Sequence, residues 1–220
     1  MNSPDSVMPS APRRVRRKAA RPGELLDAAL ALFVEKGFAA TRVEEVATRA
    51  GVSKGTLFLY FSSKEELLKA VVRETVGHQL SAASRELDGF TGSSTALLQA
   101  FLRRWWTQYG GTPAAGLTKL MTSEASNFPQ LAQYYLDEVV RPNNELLSRI
   151  IQRGIDGGEF RPVNVPRLVP LIMAPLVHMV IWRHSLGHCC PSIEDNDPMA
   201  HIEQHTELLI RGLRPDTAHP

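Results

Sequence analysis

The sequence predicts an all-α protein. Three observations carry this: apolar residues recur at three- and four-residue intervals over almost the whole chain, no alternating run of β-branched residues is bounded by turn residues, and helix-start signals recur ahead of the apolar stripes. The expected organisation is a basic arm over residues 1–21, a unit of short helices over 22–68, a larger helical domain over 69–214, and a short tail over 215–220.

Pro22 suits a first helical turn; Leu25, Leu26, Ala29, Leu32 and Phe33 form one stripe, and Lys36-Gly37 supplies a C-terminal cation followed by a residue able to take positive φ. Thr41-Arg-Val-Glu44 reads as a capping box for a short second helix through Val43, Val46, Ala47 and Ala50, which ends at Gly51. Ser53 caps a third helix from Lys54 to Tyr60, and Ser63-Lys-Glu-Glu66, a second capping box, opens a long fourth helix that runs to about Leu87, with Gly77 as its weak point. Beyond Asp88-Gly89 a wide stripe from Leu97 to Tyr109 stops at Gly110-Gly111, and Pro113 restarts a helix through Leu117 and Met121. Phe128, Leu131, Tyr135 and Val139 lead into Leu146, Leu147, Ile150 and Ile151. Pro142 lies inside that stretch and leaves the Glu138 carbonyl without its donor, so a kink or bulge is expected from Glu138 to Pro142. A loop is expected from Gly154 to Pro162. The stretch Leu168 to Leu186, apolar nearly all round, predicts a helix buried on several sides, and Asp197-Pro198 starts a last amphipathic helix with Ile202, Leu209 and Leu213 inward.

In a chain of 220 residues, 43% apolar and 22% charged, the composition excludes collagen-like, disulfide-framework and wholly disordered classes. The longest uncharged apolar run, Leu168 to Trp182, falls short of the roughly 20 residues of a bilayer span and contains Pro170 and Pro175, so no membrane span is expected. The N-terminus lacks the apolar core of a secretory signal, which makes the expected location the cytoplasm. The net charge of +2 is uneven: residues 1–70 hold twelve Lys and Arg against eight Asp and Glu. Much of that excess is Arg13, Arg14, Arg16, Arg17, Lys18 and Arg21, set among Ala and Pro. Such an arm suits a polyanion, since each cation on a phosphate releases a condensed counterion.

The segment Val46-Ala-Thr-Arg-Ala-Gly-Val-Ser53 followed by Lys54-Gly-Thr-Leu-Phe-Leu-Tyr-Phe61 is a helix, a tight turn and a second short helix. In such a unit the second helix enters the major groove with its N-terminal residues on base edges. Here those are Ser53, Lys54, Gly55 and Thr56: Gly55 permits close backbone approach, and Thr56 offers a hydroxyl or a methyl to a base. Phe58, Tyr60 and Lys64, with Thr41 and Arg42 ahead of the second helix, complete the expected DNA contacts; Tyr60 and Lys64 are placed to meet flanking phosphates. Leu57 and Phe61 are expected to lock the third helix down.

Residues 22–70 resemble the DNA-binding domain of the tetracycline-repressor (TetR) family of bacterial transcription regulators, through Ala28-Ala-Leu-Ala-Leu-Phe33, Gly37-Phe38, Thr41, Val46-Ala47, Ala50-Gly-Val-Ser53, Gly55-Thr-Leu57, Tyr60-Phe61 and Lys64-Glu-Glu-Leu67. The resemblance implies a homodimer on a near-palindromic operator, with double-stranded DNA and a small-molecule effector as partners. It also implies that effector binding changes the spacing of the two heads. Dimerisation is expected through the last two long helices, Pro166 to Leu186 and Pro198 to Leu213, as a four-helix bundle.

For the effector site the expected residues are Trp105, Trp106, Tyr109, Met121, Phe128, Tyr135, Met173, His178 and Trp182, apolar walls with a few polar tips, which favours a largely apolar effector. No cofactor is expected. His184, His188, Cys189 and Cys190, with His201 and His205 a turn apart, raise the alternative of a metal-sensing regulator, although ordinary helix-end residues account for them. A helical ligand-binding protein without DNA binding is the other alternative. An enzyme is not expected: there is no Gly-rich phosphate loop and no nucleophile elbow, and Glu44-Glu45 and Glu65-Glu66 both sit in first turns, where they complement helix dipoles.

Overall fold

A computed structural model of the chain describes residues 22–189 and 197–215, and among these there are helices and turns with no strand. The basic arm, Cys190 and residues 216–220 of the tail lie outside the described residues, as does the side chain of His188.

The first helix, α1 (Pro22–Lys36), buries the expected stripe and ends where Gly37 takes φ 87°. The second, α2 (Val43–Arg49), starts one residue later than the expected capping box. Arg42 is its cap, donating its N–H to Glu45 Oε2 at 3.3 Å. Thr41 is instead 1% exposed, its Oγ1 lying 2.7 Å from the Gly37 carbonyl and 3.1 Å from that of Leu32. The Thr41 hydroxyl is thus spent on backbone carbonyls at the end of α1 and in the loop after it, and it is not left to cap α2. Two serine caps then form as the sequence implies: Ser53 for α3 (Lys54–Tyr60) and Ser63 for α4 (Lys64–Val72), each Oγ accepting from a backbone N–H three residues on at 3.1 Å. Glu66 does not reach back to complete a box; it pairs with Lys69.

The long helix expected to run unbroken from Lys64 is α4, a wide turn over Arg73–Gly77, and α5 (His78–Gly89). In such a turn the bonds run from i to i+5, so one extra residue is accommodated and every later side chain is rotated about the axis. The same device follows α6 (Ser94–Trp105), at Trp106–Gly110. A tight turn at Pro113–Ala115 leads into α7 (Gly116–Glu124), and α8 (Pro129–Tyr135) passes through a third wide turn, Leu136–Val140, into α9 (Arg141–Asp156). That third turn falls where the Pro142 argument places a bulge.

The loop after α9 begins at Gly157 rather than Gly154. Phe160 folds back over the end of α9, and a Cβ at Gly154 would come within 2.0 Å of the Phe160 ring, so the glycine admits that ring while staying helical. Glu159 then accepts from the N–H of Ser94 at 2.7 Å and of Thr95 at 3.1 Å; these bonds hold its carboxyl below the usual carboxylate range at the positive end of α6.

The last two helices are α10 (Val165–Arg183) and α11 (Pro198–Leu213), the latter capped by Asp197. Among the described residues α10 alone is long and apolar enough to cross a bilayer. It is longer than the expected run because Asn164 caps it at 3.1 Å and the two prolines are accommodated within it. Its apolarity has a local reason: Val169, Ile172, Met173, Leu176 and Val180 are buried in the core, while Leu171, on another face, is 66% exposed. On α11 Ile202, Thr206, Ile210 and Leu213 are buried, Leu209 is half-buried, and Leu208 is 63% exposed.

The small N-terminal unit is firmly seated on the rest. Phe38 meets Phe128 edge to face with centroids 4.8 Å apart, the Ala39 N–H donates to Glu124 Oε1 at 3.4 Å, and Val34 occupies the space above Gly116. One continuous hydrophobic core joins the two.

Candidate DNA-reading surface and ligand cavity

The turn between α2 and α3 needs Gly51, whose φ of 70° an L side chain seldom adopts. It leaves Lys54, Gly55, Phe58, Leu59 and Tyr60 exposed along α3. Ser53 Oγ is held by the Thr56 N–H and lies 2.9 Å from Thr56 Oγ1, so both residues stand at the leading end of α3. A Cβ at Gly55 would meet only Ser53 Oγ, at 3.8 Å; nothing inside the protein demands a glycine there, and the open side faces outward. Lys54 pairs with Glu44 and lies 5.7 Å from the Phe58 ring centroid. Its hydrogen bond holds the Glu44 carboxyl below the usual range. Arg42 is exposed at the start of α2.

Leu59, 84% exposed, is absent from the sequence expectation. The signal was available: it lies four residues after Gly55 and so shares that residue's face. Two expected contacts turn inward instead. Thr41 is buried as described above, and Lys64 Nζ donates to the carbonyls of Phe38, Thr41 and Ala39 at 2.8, 3.0 and 3.3 Å, 4.5 Å from the Phe38 ring centroid. An ammonium has three N–H donors, and these three carbonyls take them all. Both side chains therefore fasten the α1–α2 loop.

The larger domain encloses a cavity of about 470 Å³ between α5, α6, α7, α8, α9 and α10. All three wide turns reach it: the first through Val76, the second through Gln108 and Tyr109, the third through Leu136, Val139 and Val140. Of the residues expected there, Trp105, Tyr109, Met121, Tyr135 and Met173 line it. Four lie elsewhere. Trp106 is buried against Gly110 and Gly111, since one helical step turns it about 100° from Trp105. Phe128 packs on Phe38; His178 is exposed on α10, and Trp182 lies beside it with ring centroids 6.1 Å apart. The sequence did not reveal Leu136, Val139 or Asn143, because the third wide turn resets the face presented there, nor Arg104, because a charged residue reads as solvated surface.

The cavity wall is mostly apolar, and its polar groups are largely paired. Tyr109 Oη, Thr118 Oγ1 and Tyr135 Oη form a triangle with sides of 2.7, 2.9 and 2.9 Å. Burial pushes both phenols up, well up for Tyr109, which keeps them neutral. Arg104 is the one charged residue on the wall among the described residues; it is ion-paired with Glu86 and donates Nε–H to Gln108 Oε1 at 3.0 Å.

Of the histidines and cysteines behind the metal-sensing alternative, Cys190 and the side chain of His188 lie outside the described residues. His201 is exposed, His205 Nε2 lies 2.9 Å from the Ile172 carbonyl on α10, and Cys189 is exposed. Among the described residues no three His, Cys, Asp or Glu side chains are grouped to hold a metal ion.

Residues 25–71 match the family described as "Bacterial regulatory proteins, tetR family", and residues 90–186 match "Tetracyclin repressor-like, C-terminal domain". The HTH-type transcriptional regulator YfiR of Bacillus subtilis is 30% identical over 148 residues, 66% of this chain and 71% of that protein. The chain belongs to the TetR family. Among other TetR-type relatives, the HTH-type transcriptional regulator RutR of Escherichia coli is 26% identical over 208 residues, 92% of this chain and 95% of its own. The crystal structure of FadR from Bacillus subtilis in complex with stearoyl-CoA superposes with a TM-score of 0.73 at 23% identity, over 88% of this chain and 100% of that one, and so has the same fold. A TetR-family chain with this reading head is a DNA-binding transcription regulator and not an enzyme.

Proposed function

We propose that this regulator works in the cytoplasm as a homodimer, represses from a near-palindromic operator on the nucleoid, and is released when a small, largely apolar molecule enters the cavity. The observation that carries this reading is the position of α7. Thr118, Met121, Thr122 and Ala125 line the cavity, while Gly116 at the start of the same helix sits under Val34 of α1 in the head. A molecule that displaces α7 displaces the head. The wide turn between α4 and α5 offers a second path, since Val76 touches the cavity and α4 begins beside the reading helix.

The exposed Leu171 and Leu208 lie on the two helices assigned to the dimer, and a second copy would cover them. Two-fold symmetry then sets the α3 helices about one helical turn of DNA apart, roughly 34 Å. The head is assigned to residues 22–68 and the effector and dimer domain to 69–214. Contacts to DNA are assigned to Arg42, Ser53, Lys54, Gly55, Thr56, Phe58 and Tyr60, with Leu59 added.

Selection of bound fragments from a random duplex library by the full chain, at moderate salt, tests this. Enrichment of a near-palindrome with half-sites about one turn apart is the expected result. Enrichment of a single half-site would remove the dimer, and no enrichment would remove the operator.

A further inference from the structure

Asn143 stands in the first turn of α9, directly after Pro142 and the third wide turn. It lines the cavity, is only 8% exposed, and its side-chain amide has no hydrogen-bond partner among the described residues. A polar side chain this far covered usually has a partner, and here the cavity is where one can arrive. Of the other polar groups of the wall, Asn144 beside it also has no hydrogen bond among the described residues but is more exposed, and the rest are engaged. In the triangle of Tyr109, Thr118 and Tyr135 three hydroxyl protons serve three short contacts, so the ring closes on itself. Thr122 donates to the Thr118 carbonyl, and Gln79 donates to that of Gln108. Arg104 is engaged by Glu86 and Gln108, so a ligand carboxylate would have to displace an existing ion pair.

We infer that the effector is a neutral, mainly hydrocarbon molecule carrying a hydroxyl or carbonyl oxygen, and that Asn143 is the group that receives that oxygen. An amide suits either kind, since it has N–H donors for a carbonyl and a carbonyl acceptor for a hydroxyl. This rests on the cavity being the effector site proposed above, and it adds what that reading leaves open, namely the charge of the ligand and the residue that recognises it.

The test is calorimetric titration of the full chain, and of Asn143→Leu, with butylbenzene, para-butylphenol and para-butylbenzoate, three probes that differ only at one end. The unaltered protein is expected to prefer the phenol to the hydrocarbon by about tenfold, the worth of one neutral hydrogen bond. The benzoate is expected to bind weakest. Asn143→Leu should abolish the preference for the phenol, keep the hydrocarbon bound, and raise the melting temperature of the unliganded chain, which a purely structural asparagine would not do. If hydrocarbon and phenol both bind and their ratio is the same in Asn143→Leu, the cavity reading survives and the role of Asn143 is overturned. A benzoate that binds tightest overturns the neutral class in favour of Arg104. If no probe binds while DNA binding is intact, the cavity reading itself fails and the inference falls with it.

Discussion

Lys54 and Lys64 show how little a residue's identity says about its task. Both are lysines at the start of a helix beside the reading head, and the sequence assigns both to DNA. The structure separates them: Lys54 sits on the exposed surface against Glu44, whereas Lys64 closes the α1–α2 loop through three carbonyls and the face of Phe38. Their substitutions should therefore fail in different ways. Lys64→Met removes charge-assisted bonds and leaves loop carbonyls short of a partner, for an expected loss of about 2 kcal/mol, or roughly 4–8 °C in Tm for a chain of this size. Lys54→Met should change stability by no more than about 0.5 kcal/mol, yet weaken operator binding and lower the salt slope by about 1. Thermal melts and salt-dependent anisotropy on both variants decide this. The loop carbonyls precede Lys64 by 23 to 26 residues, a separation that no local pattern encodes. Leu59 was missed for the opposite reason: its spacing to Gly55 was legible, but an exposed leucine on a reading face runs against the usual reading of leucine as core.

At the scale of elements, the helix ends were the most legible part, because caps are local: Ser53, Ser63, Asp197 and the glycines at 37 and 51 all act where their chemistry implies. Two of the three wide turns fall where the sequence marks a weakness, since Pro142 leaves a carbonyl without its donor and Gly77 closes the first; the second, at Trp106–Gly110, contains no proline and was not anticipated. Their effect on the site is large, since each turns the residues beyond it and so decides which side chains face the cavity. The junction of α7 with α1 makes a further prediction. A Cβ at Gly116 would lie 2.5 Å from a Val34 methyl carbon, closer than real contacts allow. Overpacking of this kind costs about 1–3 kcal/mol, against a gain of about 1 from replacing a helical glycine. Gly116→Ala is thus expected to lower Tm, and adding Val34→Ala should restore most of the loss, with a coupling between the two sites in a double-mutant cycle. Additive effects would show that α1 and α7 do not press on each other there.

For the molecule as a whole, the all-α class, the position of the reading head and the apolar character of α10 were legible, whereas the direction in which α10 and α11 turn their outer faces was not, since an apolar residue reads alike whether its own chain or another covers it. Leu171 and Leu208 are both mostly exposed, and substitution of both by Glu should leave the fold of the single chain intact. The same change should give monomers by sedimentation velocity and weaken operator binding by about a hundredfold or more, because the second head would no longer be held near its half-site. A dimer that persists would place the interface elsewhere. The seating of Phe38 also bears on how such regulators are recombined. Its ring is gripped by Lys64 on one side and by Phe128 on the other, with Glu124 bonded to the next backbone N–H, so the head owns only half of its own base. A chimera that grafts this head onto a foreign sensing domain by joining the chains after α4 would transplant the plug without its socket; the graft must carry the segment from Glu124 to Phe128 along with it.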